Sequence, residues 1–168
     1  NWKMVYINES AAILVKNNKS NSEITSKLTI LDANAIERAA GHLKSSNGNK
    51  TDINLALSRV FYNFNWPKPS LYFSEEAIKV DPSNRYGYLN KGLAHARYTD
   101  EENQKLAAES IKKAIDLGLN DSQYYFILGV VHMNLGRLEE ARSLFVKALE
   151  IDENNKQAKE FLEKYFTK

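Results

Sequence analysis

Three histidines, His42, His95 and His132, have the widest chemical range in this chain, because imidazole can bind a metal ion or transfer a proton near neutral pH. His95 and His132 occupy equivalent positions in two similar segments, which would suit a two-histidine metal site. The alternative is that both rings pack like aromatic side chains along a seam between helices. Packing is favoured because no carboxylate or Cys stands at metal-ligand spacing from them.

Adjacent carboxylates are the second group that could perform chemistry. They occur at 75–76, 100–102 and 139–140. Neighbouring residues of a helix point to different faces, so these pairs indicate a solvated surface rather than a shared catalytic centre. The chain has no Cys and lacks the patterns of serine hydrolases, phosphate-binding loops and zinc proteases. The sequence therefore predicts no catalytic residue, no metal ligand and no cofactor, and we interpret the chain as a non-enzyme.

The composition is typical of a globular fold with a balanced surface. Of 168 residues, 43% are hydrophobic and 26% charged, and the formal net charge is +2. Lys and Arg are interspersed with Asp and Glu, which argues against binding nucleic acid or an anionic membrane surface. No apolar run approaches the roughly 18 residues of a membrane-spanning helix, so this segment is not expected to insert into a membrane. Because the chain begins at Asn1, we interpret it as part of a longer protein.

Three similar segments follow one another along the chain, at 51–84, 85–121 and 122–155. Small residues recur at Ser58, Gly92 and Gly129, and a second set of small residues recurs at Ala77, Ala114 and Ala148. The spacing is about 34 residues, and an insertion within 98–104 lengthens the middle segment. A glycine in the middle of a helix costs about 1 kcal/mol relative to Ala, so its recurrence indicates close helix packing. The predicted helices are 53–64, 70–79, 84–98, 103–117, 121–135 and 138–151.

The third segment carries the clearest motif, an aromatic residue, Leu-Gly, a second ring, and then small and aromatic residues on the following helix. The motif residues there are Tyr125, Leu128, Gly129, His132, Ala141, Phe145 and Ala148. In this pattern the chain resembles the tetratricopeptide repeat family over residues 51–168. The resemblance implies an all-α, right-handed superhelix of antiparallel helix pairs, with about three repeats. Residues 156–168 then form a C-terminal capping helix, with Ala158, Phe161, Leu162 and Tyr165 on its apolar face.

The segment 1–50 differs from the repeats. Residues 33–45 are predicted to form a helix of a degenerate half-repeat, and residues 2–16 two short strands around Asn8. The strand region resembles a segment that follows the last membrane span of some bacterial proteins with C-terminal tetratricopeptide repeats. That resemblance implies an extracytoplasmic domain of a membrane protein. The alternative is a hairpin that covers the open end of the repeat stack, which leaves a cytoplasmic location open.

The family resemblance also implies a concave groove lined by the first helix of each pair. The residues expected to contact a partner are Leu55, Arg59, Tyr62, Tyr86, Leu89, Asn90, Leu93, Phe126, Val130 and Met133, with Gln123 beside them. Relatives that bind chaperones hold a peptide carboxylate with Lys, Asn and Arg. At the corresponding positions Leu55, Gln123 and Ile127 provide no cation, so that mode of capture is not expected here.

Two uses of this mainly apolar groove remain open. The groove could bind a helix or extended peptide from another protein, which makes the chain an interaction scaffold. It could instead be filled by the chain's own N-terminal segment or by a second copy, which makes the chain a self-association module.

Overall fold

The computed structural model describes residues 2–7, 12–16 and 50–166. Strands β1 (Trp2–Ile7) and β2 (Ala12–Lys16) are antiparallel, with Trp2 opposite Lys16 and an irregularity between Met4 and Tyr6. These are the two short strands that the sequence predicts. The predicted helix at 33–45 lies outside the described residues.

Residues 50–166 are helical apart from short turns. The helices are α1 (Lys50–Asn63), α2 (Pro67–Val80), α3 (Arg85–His95), α4 (Glu101–Asp116), α5 (Ser122–Asn134), α6 (Leu138–Ile151) and α7 (Lys156–Phe166). The all-α repeat class is therefore confirmed. The helices form three pairs, α1/α2, α3/α4 and α5/α6, and α1 begins one residue before the predicted first repeat. No helix in this part of the chain is long and apolar enough to span a membrane.

The chain divides into two compact units. Unit 1 (Asn1–Asp81) contains the strand pair and the helix pair α1/α2. Unit 2 (Pro82–Lys168) contains the pairs α3/α4 and α5/α6 and the last helix, α7. In unit 2, α4 packs on α5 and α6 packs on α7, so the pairs form a stack that α7 closes.

Each helix pair of unit 2 meets at a glycine. A Cβ atom built on Gly129 would lie 2.5 Å from Phe145 Cε1, and one on Gly92 would lie 2.6 Å from Ile111 Cγ1. Phe145 and Ile111 are fully buried, so neither side chain has free space into which to retreat. The glycines are therefore required by packing, as their recurrence in the sequence predicts.

The pair α1/α2 meets at hydroxyl groups instead. Ser58 Oγ donates to the Ser70 carbonyl oxygen at 3.0 Å, and Ser70 Oγ donates to the Ser58 carbonyl oxygen at 2.9 Å. Both residues are fully buried. Each small side chain thus satisfies its own polarity while it allows the backbones to approach closely.

Turn geometry follows the sequence signals in unit 2 and departs from them in unit 1. Gly118 and Gly136 follow helix ends with φ of 93° and 72°, the left-handed region that favours glycine. The predicted start of the second helix at residue 70 is wrong, because α2 begins at Pro67 and has Pro69 in its first turn. The first turn of a helix tolerates proline, since the amide hydrogens there have no intrahelical acceptor. The tight reversal before α2 is made at Asn65, whose φ is 57°.

Candidate functional site

Charge is distributed unequally between the two helices of each pair. The first helices α1, α3 and α5 carry five charged residues in total, whereas the second helices α2, α4 and α6 carry sixteen. Helix α5 carries no Asp, Glu, Lys or Arg along its 13 residues. The first helices therefore offer the least hydrated surface of the repeats, which is the surface on which an apolar partner would bind.

Three of the ten predicted contact residues are buried in unit 2, so their side chains do not offer contact area. Leu89 is 4% exposed and packs with Ala114 and Leu119. Phe126 is 6% exposed, and its ring lies 5.6 Å from the Phe145 ring and 5.1 Å, edge to face, from the Phe161 ring. Asn90 is likewise buried. For these three residues the structure corrects the expected orientation, because Leu89 and Phe126 complete the packing between neighbouring helices.

The other predicted residues of unit 2 remain accessible to different degrees. Tyr86 is 45% exposed, and the Arg85 guanidinium lies 5.3 Å from its ring centroid. Leu93 is half-buried against the cluster around Leu89. Val130 and Met133 are half-buried against the cluster around Phe126, with one side of each resting on the core. Helix α3 thus presents the partly exposed Tyr86 and Leu93, and helix α5 the partly exposed Val130 and Met133. We call these four residues together the α3/α5 strip.

The predicted residues of unit 1 all lie on α1. Leu55 and Tyr62 are half-buried and Arg59 is exposed. Their i, i+4, i+7 spacing places them on one side of the helix, away from Ser58 and the buried seam with α2. They form a separate accessible surface within unit 1.

The remaining predicted position, Gln123, is exposed and lines a pocket of about 470 Å³ at the beginnings of α5 and α7. Asp121 accepts a hydrogen bond from the Gln123 amide at 2.8 Å, and Asn155 caps α7 by accepting from the Ala158 amide at 3.0 Å. One amide group at the start of each helix is therefore already bound to a side chain of the chain itself, which leaves fewer amide groups for an anion.

The two repeat histidines have different environments. His95 is 7% exposed, and its Nδ1 lies 2.7 Å from Asn103 Oδ1. His132 Nδ1 is buried without a hydrogen-bond partner among the described residues. Burial lowers the pKa of His132, the nearby Arg137 lowers it further, and Glu140 acts in the opposite direction. Within residues 50–166 no three His, Asp or Glu side chains are grouped so that they could hold a metal ion.

Sequence reasoning missed a polar link between the second and third helix pairs. Gln104 is 2% exposed, its amide group donates to the Tyr98 carbonyl oxygen, and its Oε1 accepts from Asn134 Nδ2 at 3.0 Å. Asp100 caps α4 by accepting from the Asn103 amide. Residues 101–104 of the predicted insertion form the first turn of α4, and hydrogen bonds link Gln104 to Tyr98 before that helix and to Asn134 of α5. The only hint in the sequence was its high content of amide and carboxylate side chains.

Comparisons with known proteins agree with this geometry. Residues 122–155 match the family described as Tetratricopeptide repeat. Over 79 residues the chain is 33% identical to anaphase-promoting complex subunit 3 of Schizosaccharomyces pombe. The aligned residues cover 47% of this chain and 11% of that protein. Over 89 residues the chain is 36% identical to heat shock protein STI1 of Saccharomyces cerevisiae. The aligned residues cover 52% of this chain and 15% of that protein. The chain thus spans less than a fifth of the length of these curated relatives.

A solved structure shows the same fold. The first tetratricopeptide domain of Spaghetti (RPAP3), bound to the HSP90 peptide SRMEEVD, superposes with a TM-score of 0.63 and 21% sequence identity. The superposition covers 68% of this chain and 89% of that one. At this level of identity the likeness establishes the fold of the helical region.

Proposed function

We propose that this chain, which is a tetratricopeptide-repeat protein, is a non-catalytic scaffold that binds a peptide or helix of another protein on its first helices. A relative with the same fold binds a peptide of HSP90, which supports a protein partner for this chain. The observation that carries the proposal is the α3/α5 strip together with the absence of charged residues from α5. Val130 and Met133 are half-exposed apolar side chains on this uncharged helix, which favours an apolar partner over a charged one.

The partner residues divide into two groups under this proposal. Tyr86, Leu93, Val130 and Met133 contact the partner directly in unit 2, and Leu55, Arg59 and Tyr62 form the corresponding surface of unit 1. Leu89, Asn90 and Phe126 are buried and hold α3 and α5 in place beneath that surface. An amphipathic helix with apolar residues on one face suits the α3/α5 strip, because its apolar face and the strip would exclude water together.

The test is binding of a labelled amphipathic helical peptide to the whole chain, measured by fluorescence anisotropy against a scrambled peptide of equal composition. Tyr86→Ser and Val130→Ser should each weaken binding by about tenfold, because each removes apolar area from the contact. Val146→Ser, on α6 and 42% exposed, is the matched control and should leave affinity unchanged. Equal loss in all three variants, or equal affinity for the scrambled peptide, would contradict binding at the α3/α5 strip.

The same variants distinguish self-association, for which the groove would be filled by a second copy. Light scattering of the wild-type chain should report a monomer under the scaffold proposal. A dimer that Tyr86→Ser or Val130→Ser dissociates would instead assign the α3/α5 strip to assembly.

A further inference from the structure

The turn between α1 and α2 forms an aromatic end of unit 1. The Phe61 and Trp66 rings stack at 6.1 Å between centroids, and Phe61 and Phe73 stack at 5.6 Å with parallel planes. Phe61 and Phe73 are buried, whereas Phe64 is 37% and Tyr72 41% exposed. Trp66 is half-buried. Buried rings thus support an exposed rim of Phe64, Trp66 and Tyr72, which we call the aromatic rim.

The backbone holds this rim in a fixed geometry. The Trp66 amide donates to the Phe61 carbonyl oxygen at 2.9 Å, and Asn65 makes the reversal with a φ of 57°. Pro67 and Pro69 occupy the first turn of α2 and restrict its backbone. A rigid rim loses little conformational entropy when it binds to a surface.

Charge is polarised along the same helix pair. From Ile53 to Ser74 the chain contains no carboxylate, and its charged residues there are Arg59 and Lys68, both exposed. The carboxylates of α1/α2 stand towards the opposite end, at Asp52 early in α1 and at 75–76 late in α2. With a rise of about 1.5 Å per residue, Glu75 lies on the order of 12 Å along the axis from the start of α2. The aromatic end is therefore cationic, although the whole chain is nearly neutral.

We propose that the aromatic rim docks on the surface of a membrane that contains anionic lipids. Phe, Trp and Tyr side chains are favourable at the level of the lipid headgroups, where an apolar ring and a polar edge are both satisfied. Arg59 and Lys68 complement the negative charge of that surface. The near-neutral net charge of the whole chain argues against membrane binding, but it is an average over the chain. It does not reveal that the positive charges of α1/α2 lie near the aromatic end.

Single-stranded nucleic acid is the other ligand that aromatic and cationic residues can bind. Bases stack on open ring faces. Trp66 packs against Phe61 and lies 6.3 Å from Phe64, so neighbouring rings already cover much of its surface. Two cations also provide little of the charge needed to follow a phosphate backbone. The geometry therefore favours the lipid surface.

The experiment uses the whole chain carrying Trp2→Phe, so that Trp66 is the only tryptophan. Its fluorescence is titrated with vesicles of phosphatidylcholine alone and of phosphatidylcholine mixed equally with phosphatidylserine. We expect a blue shift and binding to the anionic vesicles that weakens as salt is added. Lys68→Gln should weaken binding about fivefold, and Phe64→Ser combined with Tyr72→Ser about a hundredfold.

Leu138→Ser and Lys147→Gln in unit 2 are the matched controls, since Leu138 is 53% exposed and Lys147 is exposed on α6. Both should bind vesicles like the parent chain. Circular dichroism of each variant shows whether the helices are intact, and Lys68→Gln provides a test that leaves the aromatic packing untouched. Absence of binding to anionic vesicles, or equal losses in the controls, would overturn the proposal. Tighter binding of oligothymidine than of anionic vesicles would overturn it in favour of nucleic acid.

Discussion

In α1/α2 the two helices meet through hydroxyl groups, whereas in α5/α6 they meet through a glycine and a phenyl ring. Ser58 and Ser70 exchange hydrogen bonds across one seam, and Phe145 packs directly over Gly129 in the other. The position equivalent to Phe145 in the first pair is Ser74, which is also fully buried. In α1/α2 the small Ser58 therefore faces other small residues, whereas in α5/α6 the equivalent Gly129 faces a large ring.

Close helix packing thus constrains the summed volume of two facing side chains more strictly than it constrains the residue type at either position. Where a large ring enters the seam, the facing residue must lack a Cβ atom, as at Gly129. In α1/α2, where the facing residues are serines, the seam is polar. The large apolar side chains of this pair are Phe61 and Phe73, which stack on one another beside the seam.

The largest expected effect is in the apolar seam. Phe145→Ala should lower the free energy of unfolding by about 3–5 kcal/mol, because it leaves a cavity among buried rings. Ser74→Ala should lower it by about 1 kcal/mol, through loss of the hydrogen bond to the Leu71 carbonyl oxygen. Urea unfolding followed by circular dichroism measures both, and hydrogen exchange assigns each effect to its helix pair. Similar losses in the two variants would remove the contrast.

The next effect tests the missing Cβ atom. Gly129→Ala should destabilise the chain by about 1–3 kcal/mol despite the higher helix propensity of Ala, because the new methyl group would lie 2.5 Å from the Phe145 ring. Adding Phe145→Leu should recover part of the loss. Thermal unfolding of the single and double variants measures the recovery, and a stabilising Gly129→Ala would show that the ring can move aside.

The polar seam should respond more weakly and non-additively. Ser58→Ala and Ser70→Ala should each cost about 1 kcal/mol, because each removes one donated hydrogen bond in a buried position. The double variant should lose less stability than the sum of the two single variants, since neither hydroxyl group is then left without its hydrogen-bonding partner. A double-mutant cycle in urea measures the coupling, and strict additivity would mean that the two hydrogen bonds act independently.

The smallest effect is expected from the protonation of His132, whose equivalent position in the first pair is the buried Phe61. Burial and Arg137 lower the pKa of His132, so the folded chain binds this proton less tightly than the unfolded chain. The contribution of His132 to the stability of α5/α6 should therefore be full above the ordinary histidine pKa of 6.5 and be lost as the pH falls from there through the lower pKa of the folded chain. His132→Phe should abolish that share of the decline, whereas His42→Gln should preserve it. Unfolding measured from pH 8 to pH 5 gives the comparison.

The repeat architecture could be predicted from the sequence because its strongest constraints fall on single residue types. Gly92 and Gly129 recur at a fixed spacing, and the structure shows why no other residue fits there. The paired serines could not be predicted as a hydrogen-bonded unit, since Ser58 and Ser70 are 12 positions apart and only Ser58 belongs to the recurring small residues. The start of α2 was misplaced because Pro67 favours a turn and the first turn of a helix equally well.

The accessible surface was harder to predict than the fold. Leu89 stands four positions before Leu93, and Phe126 four positions before Val130, so each lies on the same side of its helix as an accessible residue of the α3/α5 strip. Phe126 is buried because Phe161 of α7 packs over it, and Leu89 because of Leu119 in the turn after α4. Helical periodicity assigns a residue to one side of its helix, but only the packing of later segments decides whether that side is covered.

The uncharged helix α5 has a consequence for the chain before it folds. Its segment Tyr124–Val131 joins aromatic and β-branched residues without a charge, a composition that promotes intermolecular β-sheet aggregation when it is exposed. The nearest charges are Asp121 on one side and Arg137 on the other, which serve as gatekeepers of the segment. Any delay in pairing α5 with α6 would leave this stretch available to other chains during synthesis. The solubility of the nascent chain therefore depends on how quickly α6 follows α5 out of the ribosome.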